Sequence, residues 1–451
     1  MPTVQKLMAE GTTFTQTYAP TPLCCPSRAS LLRGQYPHNH GVRSNDGFTG
    51  GFPVFNANGG ENSTLATWLQ DDNYRTALIG KYFNAYPEGK VPPVGFTSPG
   101  QNYVPPGWDE WYGLIDIPED ARNNPYAMYN YPMNQNGRVV RYSNAPGDYQ
   151  TDVLRNLAVD FVARSAKGSE PFFLYLAPTA PHEPAIPAPR HQEMFPGLQT
   201  PRPPSFNEAD MSDKPAWLAG RALISDKDVA NLDETYRKQA QMLQAVDEMI
   251  AALLETLRAA GELESTYIVF MSDNGLHYGE HRIAKLKLTP YEASARVPLV
   301  VWGPGVPAGQ EVESLALVSD VAPTLTDLVA TPTPAFVDGR SLGSWLGKGA
   351  AATPRQQILH EFWPVEGLNQ TRLLPIPTYG ALRSAEYLYV NYSYPDGREE
   401  LELYNLERDP YELENIAPSA DPALLGALST KLEALGKCQA SGCREAEDSA
   451  L

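Results

Sequence analysis

Short apolar runs that alternate with helical segments are the sequence feature that most constrains the fold of this chain. Residues 74–79, 171–176 and 267–271 are apolar, of strand length, and followed by breaks in the pattern. Residues 152–165 are helical in pattern, and residues 236–257 carry apolar side chains mostly three and four positions apart. Alternation of strands and helices predicts an α/β fold with a large, mostly parallel sheet flanked by helices.

The pattern changes at about residue 372. Residues 387–394 and 400–406 resemble a β-hairpin, and residues 422–435 resemble a helix. We therefore expect a large domain over residues 1–371. A small α+β C-terminal subdomain, with a small antiparallel sheet and a helix, is expected over residues 372–451.

The charge balance excludes some classes of partner. Acidic residues number 53 and basic residues 35, which gives a formal net charge of −18. Nucleic acids and anionic membranes need a basic face, so neither is expected as the main partner. The chain contains no apolar run long enough to span a membrane, and it does not open with an export signal. A local basic pocket for a small anion remains compatible with this composition.

Polar side chains follow three of the predicted strands. Lys81, His182 and the pair Asp273–Asn274 lie at or just beyond strand ends, where open α/β sheets bind their ligands. The oxygens of Asp273 and Asn274 suit a hard cation such as calcium, although an Asx turn stopped by Gly275 would explain them equally. Lys81 and His182 taken alone are also compatible with a solvated lysine and a packing histidine.

The segment that begins at Cys24 favours an anion site. It places Cys24 and Cys25 at the start of a predicted helix that ends at Gly34, and Arg28 lies one turn inside. The N–H groups of a helix N-terminus and a guanidinium both attract negative charge. A buried thiol pair and a vicinal disulfide remain open alternatives.

Residues 24–34, CCPSRASLLRG, resemble the signature of the type I sulfatases, in which Arg33 here replaces the usual threonine. Residues 35–42, QYPHNHGV, resemble the branch that contains the N-acetylglucosamine-6-sulfatases. The likeness extends over nearly the whole chain. Further segments that match the family are 80–82 (GKY), 181–184 (PHEP), 272–275 (SDNG), 291–299 (YEASARVPL), 320–324, 338–341 and 402–412.

The resemblance implies a mechanism and a set of site residues. A dedicated maturation enzyme oxidises the first cysteine of the signature, here Cys24, to formylglycine (3-oxoalanine). One hydroxyl of the hydrated aldehyde attacks sulfur and releases the alcohol, and the other then expels sulfate by re-forming the aldehyde. Asp273 and Asn274 would bind one calcium ion. The resemblance places Arg28, Lys81, His182 and Lys287 around the sulfate, with His182 or Lys287 as the proton donor. His277 would contact the substrate, or else serve in packing.

Two departures from the family qualify this interpretation. Phe83 occupies a position that is histidine in many sulfatases, and Asn84 follows it as in the glucosamine-sulfatase branch. The family also opens with a strand that ends in an Asp-Asp metal-binding pair, which this chain lacks. We therefore expect Met1 to be an internal methionine of a longer, exported protein. Cys438 and Cys443 could form a small surface disulfide, as suits export, or remain free thiols.

The predicted function is that of a sulfuric ester hydrolase acting on a sulfated sugar or an aryl sulfate. A phosphodiesterase or phosphonate monoester hydrolase of the same alkaline-phosphatase-like superfamily is the enzymatic alternative. The non-catalytic alternative is an inactive, N-terminally truncated sulfatase-like protein.

Overall fold

The computed structural model describes residues 1–88, 96–117, 124–349, 353–364 and 375–450. The boundary expected between residues 371 and 372 lies outside these ranges. The helices are α1 (Pro2–Glu10), α2 (Cys24–Arg33), α3 (Pro37–His40), α4 (Gly51–Ala57), α5 (Leu65–Asp71), α6 (Gln150–Ser165), α7 (Ala216–Ala219), α8 (Asp226–Ala260), α9 (Glu292–Ala295), α10 (Val321–Leu328), α11 (Pro422–Leu435) and α12 (Ser441–Asp448).

The strands form three sheets. Their bounds are β1 (Thr12–Tyr18), β2 (Arg75–Gly80), β3 (Glu110–Leu114), β4 (Pro132–Gln135), β5 (Arg138–Arg141), β6 (Phe172–Ala177), β7 (Ile268–Met271), β8 (Arg296–Trp302), β9 (Gln310–Val312), β10 (Ala316–Leu317), β11 (Gln357–Phe362), β12 (Thr378–Ser384), β13 (Tyr387–Ser393) and β14 (Glu399–Asn405). The α/β class is confirmed. Residues 84–150 contribute β3, β4 and β5 to a sheet, although their sequence shows little periodicity.

Two of the sheets are formed by strands that lie between residues 12 and 317. In one, the strand order is β5-β4-β3-β2-β6, with β2 parallel to β3 and β6 and the outer pairs antiparallel. In the other, the order is β10-β1-β8-β7, where β8 runs antiparallel to both neighbours, and β9 pairs with β1. Both sheets therefore contain parallel and antiparallel pairs of strands. The two sheets end at β6 and β7, whose apolar side chains are mostly half-buried.

Helix α2 lies across both of these sheets. Ala29 and Leu32 pack with Leu78 of β2, whereas Leu31 packs with Phe14 of β1. On the other side of β2, helices α6 and α8 supply a cluster that includes the buried side chains of Leu154, Phe161, Val246 and Met249. Each fully buried side chain of this size stabilises the fold by about 1.5–3 kcal/mol. Packing on both sides thus fixes the start of α2 between the ends of β2 and β7.

The third sheet is an antiparallel meander, β11-β12-β13-β14, covered by α11 and α12. The predicted hairpin forms β13 and β14, and α11 has the predicted bounds. Strand β11 lies before residue 372 in the chain yet belongs to this sheet. Cys438 and Cys443 form a disulfide that is largely buried between α11 and β11, not on the surface.

A buried ion network joins helix α12 to the start of helix α10. The Arg355 guanidinium donates to both carboxylate oxygens of Asp320 at 2.7 Å and to Glu447 Oε2 at 2.9 Å. All three side chains are fully buried. In the described part of the chain, no helix is both long enough and apolar enough to cross a membrane.

Candidate active site

The site is built at the start of α2. Leu23 is extended, the first helical hydrogen bond runs from Ser27 N to Leu23 O, and Gly34 ends the helix in the left-handed conformation at φ 65°. Pro26 is tolerated because it falls among the first N–H groups of a helix, which have no partner within it. The helix therefore begins at Cys24, as the sequence predicts, and the Cys25 N–H in its first turn donates to Asn45 Oδ1 at 2.8 Å.

Lys287 is the nearest cation to Cys24. Its Nζ lies 3.0 Å from Cys24 Sγ and 3.4 Å from Asn274 Oδ1. Burial opposes ionisation of the Cys24 thiol, but the charges of Lys287, Lys81 and Arg28 outweigh it and lower the pKa to about 7. Burial instead raises the pKa of the neighbouring Cys25 thiol well above its usual value. The two adjacent cysteines, both free thiols, are thus electrostatically distinct.

Arg28 links the ends of β2 and β7. Its Nε donates to Asp273 Oδ2 at 2.8 Å and its Nη1 to the carbonyl oxygen of Lys81 at 2.7 Å. Burial opposes ionisation of Asp273, yet Arg28, Lys287 and Lys81 together lower the pKa of this carboxyl to about 2. Asp273 is therefore an anion at neutral pH, held by the guanidinium.

Lys81 and His182 both contact the ring of Tyr126. The Nζ of Lys81 lies 5.0 Å from the centre of the Tyr126 ring, and the imidazole of His182 stacks on the same ring at 4.1 Å. The Tyr126 hydroxyl accepts a hydrogen bond from Asn84 Nδ2 at 2.8 Å. Sequence analysis missed Tyr126, because it lies in a segment without periodicity.

The protonation state of His182 follows from its contacts. Its Nδ1 lies 2.6 Å from the carbonyl oxygen of Glu183, which can only accept, so Nδ1 carries the proton. Burial, followed by the charges of Lys287 and Lys81, lowers the pKa of His182 to about 4. The ring is neutral at pH 7, and its Nε2 holds a lone pair.

The turn after β7 provides Asp273 and Asn274, the predicted metal ligands. The turn requires Gly275, since a Cβ there would collide with the carbonyl oxygen of Ala293. Calcium prefers six or more oxygen ligands. Within the described ranges, Asp273 belongs to no cluster of three or more histidine, cysteine or acidic side chains that could hold a metal ion, and both Asp273 and Asn274 already contact cations. Asp273 and Asn274 alone therefore do not complete a calcium site.

His277 packs within the loop that carries Lys287, and its side chain is not exposed to a substrate. It is fully buried; its Nε2 lies 2.7 Å from Thr289 Oγ1, and its Nδ1 lies 3.7 Å from Glu280 Oε2. Burial lowers its pKa. Both ring nitrogens therefore face protein atoms. This position matches the packing alternative and not the expected contact with a substrate.

The position of Lys287 depends on its neighbour Leu288. Leu288 has a φ of 84°, and its N–H donates to the carbonyl oxygen of Pro22, two residues before Cys24, at 3.1 Å. Its own carbonyl oxygen accepts from the hydroxyl of Tyr379, on β12, at 2.8 Å. The C-terminal sheet therefore contacts the backbone beside Lys287, a relationship that nothing in the sequence pattern indicates.

Two family models match the chain. The model described as Sulfatase matches residues 1–331, and the model described as N-sulphoglucosamine sulphohydrolase, C-terminal, matches residues 279–437. Among curated proteins, the human N-acetylglucosamine-6-sulfatase is 34% identical, over 96% of this chain and 80% of its own length. A Drosophila melanogaster protein named extracellular sulfatase SULF-1 homolog is 35% identical, over 81% of this chain and 30% of its own length.

The fold is also similar to that of solved structures. One of them, a protein in complex with its substrate D-glucosamine-2-N,6-O-disulfate, superposes with a TM-score of 0.75 at 22% identity. The match covers 96% of this chain and 91% of that one. At this identity the superposition supports the architecture.

Proposed function

Because the chain belongs to the sulfatase family and is a sulfatase, an enzyme that hydrolyses sulfate esters, we propose that its substrate is a sulfated sugar and its nucleophile a formylglycine derived from Cys24. One observation carries the proposal: the Cys24 side chain lies at a helix N-terminus, 3.0 Å from Lys287, in a pocket that also holds Arg28 and Lys81. The substrate class is supported by the name of the human relative, N-acetylglucosamine-6-sulfatase.

The surroundings of Cys24 suit the modified residue. When oxidised and hydrated, position 24 supplies the hydroxyl that attacks sulfur. The side chain is 2% exposed, so little bulk water competes with the substrate there. Lys287 stabilises negative charge at the position that Sγ now occupies, because its amine is already within hydrogen-bonding distance.

Cations held in place beforehand bind the sulfate and offset the charge that develops in the transition state. Arg28 is fixed by its bonds to Asp273 and to the Lys81 carbonyl, so its charge needs no reorganisation. The Lys81 amine is positioned against Tyr126. A donor of this kind typically contributes about 10²–10³ to the rate in a preorganised site.

Two groups can give a proton to the leaving sugar oxygen. The amine of Lys287 is already within hydrogen-bonding distance of position 24. His182 holds its proton on Nδ1, so it must first gain one on Nε2, a change favoured by the negative charge of a bound sulfate. Calcium remains part of the proposal only as an ion that Asp273 and Asn274 would help to bind, and no step above depends on it.

The test combines mass spectrometry with kinetics. The chain is produced with and without a formylglycine-generating enzyme, alongside Cys24→Ala and, as a matched control, Cys25→Ala. We expect the peptide containing residue 24 to carry the aldehyde only after co-production, and sulfate release from N-acetylglucosamine 6-sulfate only from the modified protein. Faster cleavage of a phosphodiester or phosphonate monoester than of any sulfate ester would overturn the assignment. Equal turnover by the Cys24→Ala variant would overturn the nucleophile.

The proposal includes export and a maturation enzyme as partner. Export is supported by the disulfide between Cys438 and Cys443, since such bonds persist in oxidising compartments. The name of the Drosophila relative, extracellular sulfatase SULF-1 homolog, also supports export. Fractionation of the native cells would test it: recovery of the protein only from the cytoplasm would contradict export.

A further inference from the structure

Tyr126 contacts two of the groups to which the proposed function assigns a role. Lys81 Nζ lies 5.0 Å from the centre of its ring, within the roughly 6 Å at which an ammonium is attracted to an aromatic face. The His182 imidazole stacks on the same ring, with centres 4.1 Å apart and an angle of 24° between the planes. The phenol ring therefore restrains the amine and covers one face of the imidazole.

The hydroxyl group of Tyr126 is tethered to the segment that carries Lys81. It accepts a hydrogen bond from Nδ2 of Asn84, three residues after Lys81, at 2.8 Å. The carbonyl oxygen of Asn84 accepts from the N–H of Phe52 at 2.9 Å, and the next N–H in the chain donates to Asp116 Oδ2 at 3.0 Å. Because the backbone at Asn84 is held in this way, its amide fixes the direction of the Tyr126 side chain.

The backbone beside Tyr126 is attached to the segment that carries His182. The side-chain amide of the buried Gln150 donates to the carbonyl oxygen of Pro125 at 2.7 Å, and its Oε1 accepts from the Thr179 hydroxyl at 2.6 Å. The N–H of His182 donates to the carbonyl oxygen of Thr179 at 2.8 Å. Tyr126 and His182 are therefore anchored to one glutamine, in addition to the direct stacking of their rings.

These contacts favour a positioning role for Tyr126 over direct contact with a substrate. Its hydroxyl already accepts from Asn84, and its ring already packs on His182 and against the Lys81 amine. A lysine side chain is flexible, so an amine that is oriented in advance loses less entropy when a sulfate binds. An imidazole that is already stacked likewise needs less rearrangement before it transfers a proton.

We propose that Tyr126 is a positioning residue, which is held by Asn84 and keeps the Lys81 amine and the His182 imidazole in the arrangement used for hydrolysis of the sulfate ester. This inference rests on the proposed function, which gives Lys81 and His182 their roles. It adds a side chain that acts through these two groups and has no direct contact with the reacting atoms.

The first experiment measures how far Tyr126 covers His182, and it needs no enzymatic activity. Diethyl pyrocarbonate, which modifies neutral imidazole nitrogens, is applied at pH 7, and the modification of residue 182 is followed by mass spectrometry. Tyr126→Leu should raise the rate several-fold, because the covering ring is lost. Tyr126→Phe keeps the ring and should stay close to the wild type.

Tyr129→Leu is the matched control for this labelling. The half-buried ring of Tyr129 lies three residues further along the chain and packs against Tyr149, with ring centres 5.5 Å apart. Its removal should leave the rate at residue 182 in place. Equal rates in the wild type and the Tyr126→Leu variant would overturn the proposal.

The second experiment uses the enzyme with formylglycine at position 24 and N-acetylglucosamine 6-sulfate as substrate. Melting temperatures are measured first, and if Tyr126→Leu unfolds, the double-mutant cycle below decides. We expect Tyr126→Leu to lower kcat by up to about 10²-fold, the cost of a misplaced catalytic group, with a smaller change in KM. A rise in KM at unchanged kcat would overturn the proposal, because it would mark Tyr126 as a direct contact of the substrate.

A double-mutant cycle tests the tether between Asn84 and Tyr126. Asn84→Ala and Tyr126→Phe remove the same hydrogen bond, so the double variant should lower kcat no more than the larger single change. Independent effects that multiply would overturn the role of Asn84. Failure of the proposed function looks different, because the wild type would then release no sulfate, while the modification of His182 would still depend on Tyr126.

Discussion

The amine of Lys287 lies 3.0 Å from the sulfur of Cys24, although 262 residues separate the two along the chain. In the unmodified protein, the charge of Lys287 is the largest of those that lower the pKa of the thiol to about 7, against the opposing effect of burial. Lys287→Ala should therefore raise that pKa and slow alkylation of Cys24 at neutral pH several-fold. The rate of iodoacetamide labelling at residue 24, followed against pH by mass spectrometry, measures the shift.

Lys285→Ala is the control for this experiment. Lys285 lies two residues away and forms an ion pair with Glu183 at 3.0 Å, but it does not contact Cys24. Its removal should leave the labelling profile of Cys24 in place. An unchanged profile in the Lys287→Ala variant would contradict the contact. In the modified enzyme, Lys287→Ala should lower kcat by about 10²-fold or more.

Tyr379→Phe tests whether the C-terminal sheet positions Lys287. The change removes the hydroxyl that donates to the Leu288 carbonyl and leaves that buried oxygen without this donor. We expect kcat to fall and KM to change little, together with a loss of about 1–3 kcal/mol in the free energy of unfolding. The alkylation profile of Cys24 should also shift, which a purely structural role would not produce. Tyr389→Phe, on the next strand of the same sheet, should leave the profile unchanged.

The strand ends that carry chemistry could be predicted from local sequence. Lys81, His182 and Asp273 follow β2, β6 and β7, and each strand is a compact apolar run interrupted by polar residues. The helix that starts at Cys24 could also be predicted from the sequence, because Pro26 and Gly34 mark its two ends. These features depend on contacts between residues that are close in the chain, so they can be recognised without knowledge of the rest of the fold.

The remainder depends on contacts between distant residues. Tyr126 reaches Lys81 because Gln150 holds the backbone at Pro125, and Tyr379 reaches Leu288 from 91 residues away. The antiparallel direction of β8 is likewise decided by pairing with β1, far away in the chain. Sequence periodicity does not indicate these contacts. It also does not distinguish parallel from antiparallel strands, because side chains alternate in the same way in both.

Arg355→Met should be among the most destabilising single changes in the molecule. It leaves the fully buried carboxylates of Asp320 and Glu447 without their shared cation, and unpairing a buried charge costs about 3–5 kcal/mol. Chemical denaturation measures the loss. Arg340→Gln is the comparison, because Arg340 also donates to Glu447 but is partly exposed, so its removal should cost clearly less. Equal losses in both variants would contradict the importance of burial.

Replacing both Cys438 and Cys443 by serine should lower the melting temperature modestly. The bond closes a loop of only a few residues, for which loop entropy gives about 2 kcal/mol. It also fixes the Cys438 carbonyl, which accepts hydrogen bonds from His38 and Asn39. A reducing agent should shift the melting temperature of the wild type in the same direction and leave the double variant unaffected. A wild type indifferent to reductant would contradict the bond.

His281 predicts how stability depends on pH. Burial opposes protonation of the imidazole, but its hydrogen bond to Glu208 and its ion pair with Glu412 raise the pKa to about 9. The unfolded chain has the ordinary histidine value of about 6.5, so the folded state binds more protons between the two values. The stabilisation is complete below pH 6.5 and is lost as pH rises through about 9. Thermal melting from pH 6 to 10 should show this decline, and His281→Gln should flatten it. A decline of the same size in the variant would assign the pH dependence to another group.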